Sequence, residues 1–140
     1  MKASAWGSAV SPDGRYLTFS TDESGRFEVW VHEIRGTFRQ QISTEGGVET
    51  VWCGQCGEVF YRNGNRIFAS RVTRGPHIQF EPPRQVFIAE EFVDTPGKSF
   101  DVSSDGERLY YVRRMTPPHR TTIHVVQNWH EELRRLVPTK

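Results

Sequence analysis

Apolar and polar residues alternate over several short stretches of the chain. In extended backbone Tyr16, Thr18 and Ser20 face one way, Leu17 and Phe19 the other. Phe27-Glu28-Val29-Trp30-Val31-His32 alternates in the same manner. Arg66-Ile67-Phe68-Ala69-Ser70-Arg71-Val72 and Thr121-Thr122-Ile123-His124-Val125-Val126 are further strand-like runs. A period of two over five to seven residues predicts short β-strands. Asp13-Gly14, Asp22-Glu23-Ser24-Gly25, Asn63-Gly64-Asn65 and Asp105-Gly106 punctuate them. Asp-Gly and Asn-Gly reach positive φ cheaply, so they read as hairpin turns.

These elements repeat. Ser8-Ala9-Val10-Ser11-Pro12-Asp13-Gly14-Arg15-Tyr16-Leu17-Thr18-Phe19 resembles Phe100-Asp101-Val102-Ser103-Ser104-Asp105-Gly106-Glu107-Arg108-Leu109-Tyr110-Tyr111. Gly14 and Gly106 lie 92 positions apart, and a third, degraded copy stands midway at Val51-Trp52-Cys53-Gly54-Gln55-Cys56-Gly57-Glu58-Val59-Phe60-Tyr61. Aligned on the turn, Val10, Trp52 and Val102 share a slot, and Cys56 stands where the other copies have Gly. A period of about 46 residues belongs to a propeller or a solenoid. Short, aromatic-rich strands with no helical period favour a propeller blade.

The Ser11-Pro12-Asp13-Gly14 hairpin, the Trp52…Phe60-Tyr61-Arg62-Asn63-Gly64 segment and Phe100-Asp101-Val102-Ser103-Ser104-Asp105-Gly106 resemble TolB-like six-bladed β-propeller repeats. The tail from Val125 to Pro138 looks like the C-terminus of such propellers. The resemblance spans nearly the whole chain and implies the fold much more than any activity. The middle turn, Cys53-Gly54-Gln55-Cys56, departs from the family's Ser-Pro-Asp-Gly pattern.

The tail has a different period. Asn128 and Glu131 have the spacing of a capping box. Trp129, Leu133 and Leu136 then fall at i, i+4 and i+7, and Pro138 follows. This predicts a short helix over 128–137 with one apolar stripe, which caps the last blade or binds a partner. The expected architecture is therefore all-β: a single domain over 1–140 of three blades, half of a six-bladed propeller, plus that C-terminal helix. The blades are expected at about 3–43, 44–90 and 91–127. The stretch from Gly75-Pro76-His77 to Glu81-Pro82-Pro83 reads as a long connection.

Composition narrows the function classes. Lys and Arg total 18 and Asp and Glu 17, a net charge of +1, so no overall field draws nucleic acid or anionic lipid. The mean hydropathy of −0.60 and the lack of any apolar run of about 18 residues argue for a soluble chain outside the membrane. The first residues carry no apolar leader, so the expected compartment is the cytoplasm, or the periplasm if the sequence is part of a longer chain.

Candidate chemistry is sparse. Cys53-x-x-Cys56 has the spacing of a redox dithiol or half a zinc site, but no second pair accompanies it, and His77, His119, His124 and His130 are scattered. Both cysteines therefore read as turn residues, with no metal and no cofactor expected. His32 and His124 take matching strand positions, and Asp13 and Asp105 matching turn positions, so structural roles are expected of all four. Trp30, Phe38, Arg39, Tyr61, Arg62, Arg66, Phe68, Arg71 and Arg74 could stack on single-stranded nucleic acid, yet strand periodicity assigns the aromatics to the core. No nucleophile elbow or triad is visible, so no catalytic residue is nominated. The expected function is a non-catalytic binding module. The alternatives are an enzyme of hydrolase or lyase type with a site in the channel, and a propeller remnant without activity of its own. Partner or ligand contacts are expected where the inner strands begin, at Trp6, Glu49 and Lys98, and an interface at Trp129, Leu133 and Leu136. Three blades leave an open arc, so a homodimer closing a six-bladed ring is expected.

Overall fold

The computed structural model describes residues 3–75 and 78–115, and these fold as an all-β structure of antiparallel sheets. The first sheet is a four-stranded meander in the order β1 (Ala5–Val10), β2 (Tyr16–Thr21), β3 (Glu28–Glu33), β4 (Arg39–Gln41). The second holds β5 (Val48–Cys53), β6 (Glu58–Asn63) and β7 (Arg66–Arg74) in the same way. Its outer position is shared: β8 (Ile78–Phe80) pairs with one end of β7 and β9 (Arg84–Ile88) with the other. The third is a pair, β10 (Phe100–Val102) and β11 (Leu109–Tyr111).

Alternation decides how the sheets stack. Along β6, Val59 and Tyr61 point to the first sheet and join Tyr16, Val29, Val31, Ile42 and Ile78 in one buried cluster. Phe60, between them, points the opposite way. With Val51, Cys53, Ile67 and Ala69 it meets Phe100 of the third sheet, and Phe92, Val102, Leu109 and Tyr111 pack around them. The second sheet is thus apolar on both faces and lies between the other two. Val29, Val31, Val59 and Ile67 lose all solvent contact. Burying a side chain of this size contributes roughly 1.5–3 kcal/mol. First strands lie beside first strands, with β5 packed against both β1 and β10.

The turns explain the repeat. In the first, Ser11 Oγ donates to Asp13 Oδ1 at 2.6 Å and accepts from the Tyr16 amide, while Asp13 accepts from the Arg15 amide. In the third, Ser103 Oγ donates to Asp105 and accepts from the Arg108 amide, while Asp105 accepts from the Glu107 amide. Gly14 and Gly106 sit at φ 71° and 79° in the same slot, where a Cβ is disfavoured. Val10 pairs with Leu17, Trp52 with Val59 and Val102 with Leu109, so all three turns have one length.

Three sequence expectations need correction or placement. The positive φ of the middle turn falls on Gly57, at 68°, and not on Cys56, because the Gly57 amide reaches back to the Cys53 carbonyl. The connection after Gly75 is not simply a loop: β8 lies in it, anchored by buried Ile78 and three register pairs to β7. The strand at Thr121–Val126 and the helix at 128–137, with Trp129, Leu133 and Leu136, lie outside the described residues. Among the described residues no helix is long and apolar enough to cross a membrane.

Candidate functional site

The starts of β1, β5 and β10 come together at Glu49, one of the residues nominated from sequence, and at Gly7 and Ser99, the neighbours of the other two. Glu49, just inside β5, is 3% exposed. Its carboxylate accepts from Arg62 Nε at 2.8 Å and from Ser99 Oγ at 2.9 Å. Arg62 also donates to Asp94 at 2.5 Å and lies 5.1 Å above the Phe92 ring. Glu49 holds φ 51°, rare for a residue with a side chain. Gly7, one residue past Trp6, backs onto it: a Cβ on Gly7 would lie 3.2 Å from the Glu49 Cα. Ser99, one past Lys98, reaches it from the third sheet. Trp6 itself turns to Phe27, edge to face at 6.3 Å. Lys98 stays exposed and pairs with Asp101 at 2.9 Å.

Both oxygens of Glu49 are thus engaged, and the guanidinium that balances its charge is buried with it. A buried carboxylate engaged in this way ties the elements around it together. Glu28 is similar. Fully buried, it accepts from Arg26, from Ser43 Oγ and from the Gly46 amide. Burial first, then Glu28 and Glu45, push the nearby Tyr61 hydroxyl well above its ordinary pKa, so it stays neutral.

At the opposite ends of the strands the first and second turns enclose a cavity of about 130 Å³. Tyr16, Trp52, Val72 and Ile78 give it an apolar floor, and Asp13, Arg15, Glu58 and Arg74 a rim of both charges. A cavity of about 150 Å³ admits one benzene, so this one suits a single ring or branched side chain. Asp13 is charged there. The Ser11 hydroxyl foremost holds its carboxyl below the ordinary range, against desolvation, with further help from the Arg15 amide and the Arg74 and Arg15 guanidinium groups. Sequence reading missed this cavity because its walls come from turns some forty residues apart. Each turn is visible alone; their facing is not.

The remaining candidates have structural surroundings. Cys53 and Cys56 are joined in a disulfide across the middle turn, a bond the spacing alone did not establish. His32 is half-buried with Nδ1 2.6 Å from the Glu33 carbonyl. Tyr61 and Phe68 stack at 5.4 Å inside the core, and Arg39 lies 4.4 Å above the Trp30 ring. Among the described residues no group of three or more His, Cys, Asp or Glu could hold a metal ion. No protein-family model matches the chain, and no curated protein does.

Proposed function

We propose that the chain is a non-catalytic binding module of three TolB-like propeller blades, and that two copies close a six-bladed ring. The observation that carries this reading is the stacking. Three antiparallel sheets pack face on face through alternate residues, with their first strands side by side. That is how blades surround a channel. Among the described residues no further strand covers the outer face of the first sheet. On the side of the first sheet turned from the second, Leu17, Phe19, Trp30 and His32 form a half-buried row, and Val10 is 55% exposed. Trp30 Nε1 is buried there with no hydrogen-bond acceptor among the described residues. The outer face of the third sheet shows Tyr110 at 54% exposure. A two-fold axis along the channel sets these two faces against each other twice.

In such a ring Trp6 and Lys98, half-exposed and exposed, line the channel mouth where a protein or small ligand docks. Glu49 stays turned into its own pairs. Light scattering behind gel filtration tests the assembly. The expected mass is twice 16.2 kDa at micromolar concentration; a mass of 16.2 kDa overturns the ring.

A further inference from the structure

The Cys53–Cys56 disulfide touches more than its own turn. Cys53 Sγ lies 3.3 Å from the Ser104 carbonyl oxygen, and the Gln55 amide donates to that same oxygen at 3.3 Å. Cys56 lies flat against Gly106: a Cβ on Gly106 would come within 2.8 Å of Cys56 Sγ. The third turn is therefore seated directly on the disulfide. On its other side Cys53 lines the cavity between the first and second turns. The sibling turns are clasped by a Ser–Asp hydrogen bond, and the middle one replaces it with a covalent bond that can be opened.

We infer that Cys53–Cys56 is a thiol–disulfide exchange site whose closed form clamps the third hairpin turn onto the second, and that a dithiol reductant releases it. Cys56 is half-buried and Cys53 only 2% exposed, so an incoming thiolate reaches Cys56 Sγ. The reductant's sulfur bonds to Cys56, the S–S bond breaks, and the electron pair leaves on Cys53. The Cys56 amide, 3.2 Å from Cys53 Sγ, receives that charge until a proton neutralises it. The reductant's second thiolate then attacks its own bound sulfur and frees Cys56, which is protonated in turn. The protein gains two electrons and two protons, and the reductant departs as a disulfide. Two free thiols cannot keep the bonded separation. Cys56 must swing, and the space beside it is already filled by Gly106. The third turn gives way. This step is independent of how many copies close a ring.

Hydrogen exchange at residues 103–108, with and without dithiothreitol, tests it. The expected result is about tenfold faster exchange in the reduced protein, with slow exchange restored by glutathione disulfide. The Cys53→Ser/Cys56→Ser variant is expected to exchange quickly and to ignore dithiothreitol. Unchanged exchange in wild-type protein whose two cysteines have become open to alkylation overturns the clamp. So does alkylation of both cysteines in untreated, folded protein. Neither of these wild-type measurements depends on the variant folding.

Discussion

Ser11 and Ser103 perform one task with the same atoms, each donating to an Asp two residues on and accepting an amide five residues on. This arrangement needs the Asp ionised, because a carboxylic acid is a poorer acceptor for a hydroxyl and an amide together. Both carboxyls are accordingly held below their ordinary value, with the Ser hydroxyl the largest cause in each. The sign of the linkage follows. In acid the unfolded chain takes up protons first, near pH 3.9 for an ordinary Asp, so the contribution is complete above that value. It is lost as the pH falls through the lower folded values. Ser11→Ala is expected to remove part of this acid sensitivity: the gap between the urea midpoints of wild type and variant should be widest at pH 6 and narrow as the pH falls toward 2, the remainder being the lost Tyr16 amide bond. Parallel curves over that range would show that Asp13 draws nothing from Ser11.

Between elements, the Glu49–Arg62 pair is the clearest tie. It joins β5 to β6, and through Ser99 and Asp94 it brings in the third sheet. Breaking a buried pair by removing one partner costs about 3–5 kcal/mol, since the other charge stays in low dielectric. An exposed partner contributes less than about 1 kcal/mol. The Glu49 and Arg62 side chains are 3% and 5% exposed, and Asp94 is 68%. Arg62→Met is therefore expected to lower unfolding free energy several times more than Asp94→Asn in chemical denaturation; equal losses would place the tie elsewhere. Elsewhere in the sheets β2, β3 and β7 were legible from period two, and the first and third turns from their twin Ser-x-Asp-Gly sequences. The short outer strands were not. Arg39–Gln41, Ile78–Phe80 and Arg84–Ile88 alternate too briefly, and their strand state comes from the neighbours they pair with. Glu49 could be placed by alignment, but its burial could not. The partner that permits it, Arg62, lies thirteen residues away across a hairpin.

For the whole molecule the question is what covers the outer face of the first sheet. Its row of Leu17, Phe19, Trp30 and His32 repeats, in residue type and spacing, the kind of face that the second sheet turns to its neighbours. Here Arg39 is the cover, with its guanidinium 4.4 Å over Trp30 and 5.8 Å over Phe19. A cation on a half-exposed aromatic stabilises by about 0.5–1 kcal/mol, far less than the burial of two such rings against another sheet. The face is therefore worth more covered than free, as in an interface between copies. Phe19→Glu is the discriminating change. Phe19 points away from the core cluster of Val29, Val31 and Tyr61, so the first two sheets should keep their packing. In the ring the new carboxylate would enter a desolvated, apolar contact, where the neighbouring Arg39 already holds Glu23 at 2.6 Å. The expected outcome is a fall in mass from twice 16.2 kDa to 16.2 kDa by light scattering, with the circular dichroism of the strands retained. A variant that keeps the wild-type dimer mass would remove this face from the interface and leave the ring without its first contact.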